Sequence, residues 1–244
     1  ILGEPARVLD ILREDIHEMK AKYADARRTE ITAAVGEFCM EELIEDLPVI
    51  VTISHQGYIK RVSTDTYRSQ GRGGRGIRAS DTKEGDFLEH VFVASTHNYL
   101  LFFTTRGRVY WLKVYDIPEM ARTARGRSIA NLLRLQDSET VTAVLPISQF
   151  EEKFVLFATA QGTVKKTALG AFSRPRPSGI IAIGLDPADS LIRVQLVGEE
   201  DEVVLGTRKG MSIRFMHTDV RAMGRAAGGV RGISLERDDE VVDT

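Results

Sequence analysis

A hairpin pattern returns four times along this chain of 244 residues, and it constrains the fold more than any other feature. In each copy an apolar, β-branched run leads to a glycine, and a short strand with one or more basic residues follows. The turn glycines are 50, 55 and 48 residues apart, at Gly57, Gly107, Gly162 and Gly210. Because glycine readily adopts the positive φ of a tight turn, each copy predicts two antiparallel strands joined at that glycine.

Two further elements complete each repeat. Gly/Arg-rich elements span residues 70–77, 122–129, 174–180 and 225–233. Acid-led apolar strands then begin at Asp86, Glu139, Asp189 and Asp239. Pro146 lies inside the second of these strands, which predicts an edge position or a bulge, because proline donates no hydrogen bond to a ladder.

A unit of about 50 residues with roughly four strands is the size of a propeller blade. One such sheet cannot bury both of its faces, so neighbouring units must stack. We therefore predict an all-β, propeller-like domain over residues 49–244. Its four-stranded blades are expected at 49–98, 99–152 and 153–202, with a truncated fourth repeat at 203–244.

The N-terminal part has a different pattern. Residues 1–30 predict a helix, with Pro5 in its first turn and an apolar a/d stripe of Leu2, Leu9, Leu12, Ile16, Met19 and Tyr23. The stripe fits a coiled-coil seam or one helix packed on a globular neighbour, and both remain open. Residues 31–48 have linker composition. Since the chain starts at Ile1, we expect a piece of a longer protein.

Charge is concentrated in four windows, although the net charge is only −2. Residues 56–79, 104–129, 161–180 and 206–233 together hold 22 basic and 4 acidic residues. A single such block is ordinarily solvated surface. Four blocks at similar spacing predict a track for a polyanion, if the fold brings them to one rim.

Several other classes are excluded. The composition is that of an ordinary soluble protein, the apolar runs are too short to span a bilayer, and the single Cys39 cannot form an internal disulfide. The five histidines have no catalytic or metal-binding pattern. Six aromatic residues could stack on bases, but their strand positions favour packing between blades: Tyr58, Tyr67, Tyr99, Tyr110, Trp111 and Tyr115.

The glycines of the first Gly/Arg-rich element satisfy the dinucleotide fingerprint G-x-G-x-x-G. That fingerprint needs a preceding buried strand and a following helix, whereas a β repeat follows here. A flexible RGG-like loop is the simpler alternative, but it does not explain a related element at the same place in four repeats. Phosphate binding fits better, because glycines allow close approach of backbone N–H groups and arginines supply charge.

Residues 70–76 resemble the heptapeptide box Q-R-R-G-G-K-G of bacterial DNA gyrase A subunits, in the type IIA topoisomerase family. Gln70, Arg72, Gly73, Gly74 and Gly76 match, whereas Gly71 replaces an arginine and Arg75 a lysine. The first replacement removes a charge. Further stretches are similar to the family pattern: residues 20–31, 51–61, 94–97 and 122–126.

The resemblance implies a β-pinwheel whose blades exchange a strand with a neighbour and whose basic rim wraps duplex DNA. It implies that an ATP-driven type II topoisomerase, a bacterial cytoplasmic and nucleoid-associated enzyme, then introduces negative supercoils. Residues 1–30 would end the breakage-reunion region. The resemblance places the catalytic tyrosine outside this chain, since Tyr23 does not match its motif.

The same resemblance implies partners: duplex DNA, a second copy of the gyrase A chain, and the gyrase B chain, in an A2B2 heterotetramer without a membrane. ATP and Mg²⁺ are implied for the holoenzyme, and no cofactor, metal or catalytic residue for this piece. Two alternatives remain, the corresponding chain of topoisomerase IV, which mainly decatenates, and a non-catalytic protein-interaction propeller. A steep dependence of DNA affinity on salt would exclude the second.

The predicted DNA-binding residues come from the box and the four basic windows. They are Gln70, Arg72, Gly73, Gly74, Arg75, Gly76, Arg78, Lys60, Arg61, Arg68, Arg106, Arg108, Lys113, Arg122, Arg125, Arg127, Lys165, Lys166, Arg174, Arg176, Arg208, Lys209, Arg214, Arg221, Arg225 and Arg231.

Overall fold

The chain divides into two units, Ile1–Leu43 and Ile44–Thr244. The computed structural model describes residues 3–25, 29, 40–67, 70–76, 80, 84–136, 139–150, 152–198 and 200–244. In the first unit, helix α1 (Pro5–Tyr23) has proline in its first turn and is followed by a 3-10 turn, Met40–Leu43. The helix is shorter than the predicted 1–30, because Ala24 adopts an extended conformation with ψ 120°. No helix among the described residues is both long and apolar enough to span a membrane.

The second unit is built from short strands, as the repeat predicts. Its described residues form β1 (Pro48–Ser54), β2 (Tyr58–Ser63), β3 (Leu88–Ser95), β4 (Tyr99–Thr104), β5 (Arg108–Lys113), β6 (Arg127–Ser128), β7 (Val141–Ile147), β8 (Phe154–Thr159), β9 (Thr163–Ala168), β10 (Ile180–Ile181), β11 (Leu191–Val197), β12 (Glu202–Thr207), β13 (Ser212–Met216), β14 (Val230–Arg231) and β15 (Val241–Asp243).

Each repeat contributes one hairpin and one closing strand. The hairpins β1–β2, β4–β5, β8–β9 and β12–β13 are antiparallel, and their turn glycines have φ of 77°, 69°, 78° and 86°. The closing strands β3, β7, β11 and β15 pair with the first strand of their own hairpin. Pro146 lies opposite Leu100 on β7, the edge strand of its sheet, which confirms the predicted edge position.

The fourth strand of a sheet comes from the following repeat. Strand β6 pairs with β2, β10 with β5, and β14 with β9, all antiparallel. The first three sheets therefore have four strands each, in the orders β3-β1-β2-β6, β10-β5-β4-β7 and β11-β8-β9-β14, and the last has three, β13-β12-β15. The strand exchange expected from the resemblance is confirmed.

The turn glycine of one repeat also accepts a backbone hydrogen bond from the next repeat. The carbonyl of Gly57 accepts the N–H of Ile129 at 2.8 Å, and the carbonyl of Gly162 accepts the N–H of Gly232 at 2.8 Å. The incoming chain lies so close to the preceding hairpin that glycine is needed immediately before the exchanged strand. A Cβ on Gly229, where φ is +114°, would lie 2.6 Å from the carbonyl oxygen of Val164.

Three apolar clusters fill the space between successive sheets. Strand β4 is buried on both faces, because Leu100 and Phe102 join the cluster with the first sheet while Leu101 and Phe103 join the cluster with the third. This explains its unbroken apolar sequence, since a strand covered on both sides shows no alternation. In the cluster with the third sheet, Phe103 lies edge-on to Phe157, with ring centroids 5.5 Å apart.

In three of the four repeats, the aspartate that precedes the closing strand accepts a hydrogen bond from the hairpin turn of its own repeat. Carboxylates of Asp86, Asp189 and Asp239 accept the turn N–H groups of Gln56, Gln161 and Lys209, each at 3.0 Å. Burial alone would raise the pKa of Asp86 and of Asp239. Hydrogen bonds from turn N–H groups and from neighbouring hydroxyls outweigh burial, so both pKa values lie below the ordinary 3.8.

The close approach at the exchanged strand predicts a specific glycine requirement. Gly229→Ala should destabilise the domain by about 2–4 kcal/mol, because the new Cβ meets a backbone oxygen and the residue must keep a positive φ. Gly170→Ala is the matched control, since nothing lies within 4 Å of that position and its φ is not positive. Urea denaturation measures both. Equal unfolding free energies for the two variants would contradict the steric argument.

The turn aspartates predict loss of stability in acid. The unfolded chain binds more protons near the ordinary pKa than the folded chain does, so their contribution is complete above about pH 5 and disappears as pH falls through the depressed folded-state values. Asp86→Asn with Asp239→Asn should therefore flatten the decline of the urea midpoint between about pH 5 and pH 3. Asp238→Asn, at an exposed site, is the control and should keep the decline of the unaltered chain. A decline that stays as steep as this in the Asp86→Asn, Asp239→Asn variant would refute the assignment.

Candidate nucleic-acid interface

Four segments carry the arginines of the predicted interface, and we call them arginine loops 1 to 4: residues 70–76, 122–128, 174–181 and 225–231. Loops 2 to 4 contain the exchanged strands β6, β10 and β14, which form one edge of the first, second and third sheets. The closing strands lie at the opposite edge, where β11 contacts both β7 and β15. Loops 2 to 4 therefore occupy the same outer edge of successive sheets.

Neighbouring loops are connected along this edge. Arg108, Arg176 and Arg225 line one groove between loops 3 and 4. A backbone hydrogen bond of 3.1 Å runs from the N–H of Gly184, just after loop 3, to the carbonyl of Ala227 in loop 4. Ser80, just after loop 1, donates to the carbonyl of Ala124 in loop 2 at 3.4 Å. The sheets thus present adjacent rather than scattered loops.

Loop 1 is folded by its own side chain and glycines. The amide oxygen of Gln70 accepts the N–H of Gly76 at 3.0 Å. Gly73 and Gly76 have φ of 92° and 70°, and a Cβ on Gly74 would lie 2.8 Å from that amide oxygen. Gly71 alone of the four has open space around it and no positive φ. Gln70, predicted as a DNA contact, therefore shapes the loop through its side-chain carbonyl.

Most arginines in and beside the loops are exposed and uncompensated. The exposed side chains are those of Arg72, Arg75, Arg125, Arg127, Arg174, Arg176, Arg221 and Arg231, while Arg122 and Arg225 are half-buried. Within the described part of the chain, none of these eight exposed guanidinium groups forms an ion pair or a side-chain hydrogen bond. Such charge repels itself at the outer edge, so this surface favours a polyanionic partner.

The basic residues of the hairpins have protein partners instead. Arg214 pairs with Glu202 at 3.3 Å and Arg61 with Glu119 at 3.6 Å, and Arg208 pairs with Glu240. The exposed pairs of Arg214 and Arg208 are individually weak. Three further hairpin residues contact uncharged groups. Arg106 donates to the Gln136 side-chain carbonyl and Lys209 to the Arg237 backbone carbonyl. Lys113 donates to the His97 carbonyl, and its ammonium also lies over the Tyr99 ring.

Three lysines that were predicted to contact DNA are buried in the domain. The sequence-based prediction of a surface position for them is wrong. Lys60, Lys165 and Lys166 are 1%, 0% and 6% exposed. Lys166 donates to the His217 carbonyl at 2.9 Å, and Lys60 to the Ala124 carbonyl at 2.6 Å. Their ammonium groups are satisfied by backbone carbonyl oxygens of the domain and are not exposed at its surface.

Burial also changes the chemistry of Lys165. Its ammonium donates to the Ala182 carbonyl at 2.6 Å and to the Arg225 carbonyl. Burial, helped by the charge of Arg225, lowers the pKa of Lys165 to about 8. Arg108 is half-buried and bonds to the carbonyls of Ser178 at 2.7 Å and Gly179 at 3.2 Å, so it too serves the protein backbone.

The aromatic residues of the hairpins pack inside the domain. Tyr110 is 2% exposed, donates its hydroxyl to the Glu139 carboxylate at 2.8 Å, and lies directly under Gly179. Burial raises the pKa of the Tyr110 hydroxyl, and the hydrogen bond to the Glu139 carboxylate raises it further. The indole N–H of Trp111 donates to the Phe172 carbonyl at 2.8 Å. Packing between sheets, the interpretation favoured from sequence, is confirmed for these two residues.

Two predicted contacts, Arg68 and Arg78, lie outside the described residues. Among the residues that are described, no group of three or more His, Cys, Asp or Glu side chains is placed to hold a metal ion. The backbone role of the hairpin lysines was missed from sequence, although one signal was present. The second hairpin strand is an inner strand of a four-stranded sheet, so a lysine in its middle is flanked by neighbouring strands and, where it is buried, needs internal acceptors.

Comparison with known families gives a match over most of the second unit. The family described as "DNA gyrase C-terminal domain, beta-propeller" matches residues 48–95, 98–148, 153–197 and 201–244. These four matched stretches coincide with the four structural repeats. They account for well over half of the chain.

Similar proteins point the same way. The DNA gyrase A chain of Haemophilus influenzae is 49% identical over 244 residues, which is 100% of this chain and 28% of that protein. The chain thus spans little more than a quarter of that relative.

Among solved structures, the C-terminal domain of DNA topoisomerase IV aligns with a TM-score of 0.71 and 30% identity over 82% of this chain and 61% of that one. A DNA gyrase A C-terminal domain aligns with a TM-score of 0.62 and 26% identity over 80% of this chain and 64% of that one.

Proposed function

Because the chain belongs to the family of DNA gyrase C-terminal β-propeller domains, we propose that its second unit binds and wraps duplex DNA along the arginine loops. The observation that carries this proposal is the placement of uncompensated arginines at the same outer edge of successive sheets. Wrapping would present a DNA segment to the gyrase DNA gate, so that ATP-driven strand passage introduces negative supercoils.

The physics of wrapping requires many distributed contacts. Smoothly bending 20–30 base pairs by 40–90° costs about 1–6 kcal/mol, which a single ion pair cannot offset. Arginines on the four loops would supply such distributed contacts. No helix is positioned to read base edges in the described part of this unit, so binding is expected to depend on phosphate charge and DNA deformability rather than on sequence.

The larger assembly follows from the family. We propose that this chain works as part of the gyrase A chain in an A2B2 enzyme of the bacterial cytoplasm, associated with the nucleoid. ATP hydrolysis would occur on the gyrase B chain, and DNA cleavage at a tyrosine outside residues 1–244. The role of this chain is then to hold and bend DNA, with no catalytic residue and no metal or cofactor of its own.

A second candidate is the corresponding chain of topoisomerase IV. The TM-score of 0.71 with that enzyme's C-terminal domain favours it. The nearly intact box in loop 1 and the naming of the 49% identical relative favour gyrase. A chirally wrapped DNA distinguishes them: a nicked circle relaxed on the protein and then ligated should show a positive linking difference for a gyrase-type wrap, and little change for the alternative.

Loss of two loop 1 arginines tests the proposal. In the complete A2B2 holoenzyme, Arg72→Ala with Arg75→Ala should abolish supercoiling and leave relaxation without ATP largely intact, because only the wrap is lost. Arg134→Ala with Arg237→Ala removes the same charge from exposed sites outside the loops and is the control. Equal loss of both activities in the loop 1 variant would count against wrapping.

The salt dependence of affinity supplies an independent measurement. The logarithm of the binding constant should fall with log salt at a slope of about −0.9 per phosphate contacted, hence about −5 for six contacts. A flat response would support an interaction propeller instead.

Gly71 offers a gain-of-function test. Gly71→Arg restores the charge found in the family's box, and the open space around Gly71 can accept the side chain. We expect tighter DNA binding and a salt slope steeper by about 0.9, because one more phosphate is neutralised. Gly71→Gln adds a side chain of similar reach without charge, and is the control. An unchanged slope for Gly71→Arg would show that loop 1 does not face the DNA.

A further inference from the structure

Each arginine loop that follows a sheet is fastened to that sheet by a basic side chain. In the first sheet Lys60 donates to two carbonyls of loop 2, those of Arg122 and Ala124. These carbonyls lie on either side of Thr123, in the part of the loop that carries Arg122 and Arg125, the first two of its three arginines. The lysine is 1% exposed, so it reaches the loop from inside the domain.

The same arrangement returns at the next two interfaces. In the second sheet Arg108 donates to the carbonyls of Ser178 and Gly179 in loop 3. In the third sheet Lys165 donates to the carbonyl of Arg225, the first residue of loop 4, and to that of Ala182. In all three cases the donor belongs to the second hairpin strand of one repeat, and a loop of the following repeat supplies acceptors.

The loops differ in how much other restraint they have. Loop 3 contains Pro175 and Pro177, which fix two φ angles, and its anchor is the half-buried Arg108. Loops 2 and 4 contain no proline, and their anchors are buried lysines. The loops without internal restraint therefore have the better-shielded anchors, and hydrogen bonds to a shielded cation are stronger than those in water.

We propose that Lys60, Arg108 and Lys165 are positioning residues for DNA binding, which hold the backbone of the arginine loops in their DNA-bound conformation and do not themselves contact DNA. This inference rests on the proposed wrapping function. The anchors fix the Cα–Cβ directions of the loop arginines, so those side chains enter the complex with less conformational freedom to lose.

Lysine accessibility in the unaltered chain is the first test. The probe is amine acetylation read by mass spectrometry, with and without a long linear duplex. Lys60 and Lys165 should stay unmodified in both states, because their amines are buried, whereas the exposed Lys153 should react in both. Acetylation of Lys60 or Lys165 in the free chain, followed by protection with DNA, would overturn the proposal by making them direct contacts.

Lys60→Met provides the second test, since it keeps the apolar stem and removes the donor. In the absence of DNA, hydrogen exchange over residues 121–128 should accelerate at least about tenfold, while residues 174–181, anchored by Arg108, should be unchanged. Lys153→Met removes a lysine charge elsewhere and is the control. Unchanged exchange over residues 121–128 in a folded Lys60→Met chain would overturn the proposal.

A double-mutant cycle then connects the anchor to DNA. Lys60→Met should weaken binding roughly 10-fold by releasing the loop 2 arginines, Arg122, Arg125 and Arg127. It should have less than about a twofold effect where all three are already replaced by alanine, since no loop 2 arginine remains to be positioned. Equal losses in both backgrounds would mean that Lys60 acts independently of loop 2, which contradicts the proposal.

The readouts separate the two levels of inference. If the DNA affinity of the unaltered chain does not depend on salt, the wrapping function is wrong, and hydrogen exchange alone then tests whether the anchors hold the loops. If the affinity depends steeply on salt but the effects of the Lys60 and loop 2 substitutions simply add, only the role of the anchors in DNA binding is wrong. If Lys60→Met does not yield a folded chain, the acetylation test decides for Lys60, and Lys165→Met with exchange over residues 225–231 replaces the variant.

Discussion

Pairing between one repeat's hairpin and the next repeat's incoming strand holds this structure together. The strands β6, β10 and β14 each complete the sheet before their own. Without this exchange each sheet would have three strands and an open edge, which is a site of unwanted pairing. With it, successive sheets are joined by backbone hydrogen bonds as well as by the apolar clusters between them, and the order of the repeats along the chain becomes their order in space.

The exchange also places the arginines. An incoming strand must cross from one sheet to the edge of the previous one, and the crossing segment is the arginine loop itself. Gly126, Gly179 and Gly229 allow the crossing, since a Cβ at each would lie less than 3.0 Å from the preceding hairpin. These three glycines are therefore needed for packing, whereas those of loop 1, apart from Gly74, have open space around them. One element of sequence thus serves both assembly of the fold and display of charge.

Basic residues divide into two groups that look alike in the sequence. Most guanidinium groups of the arginine loops are exposed and carry uncompensated charge, whereas Lys60, Lys165 and Lys166 are buried and bonded to backbone carbonyls. The division has a physical cause. These three lysines lie on covered stretches of inner strands, so each must find acceptors within the protein, while a crossing loop at the outer edge stays in water. Counting basic residues in a window overstates the number available to DNA.

Local sequence was enough to predict the repeat, the hairpins with their turn glycines, the edge position of Pro146, and the family, because turn chemistry and strand periodicity are local properties. The folded arrangement settled what depends on residues some 60 positions apart. It covered the two faces of β4 with two different neighbouring sheets. It also turned Lys60 and Lys165 from expected surface cations into internal donors, since the next repeat supplies carbonyls that accept their protons, and no window of the sequence contains both partners.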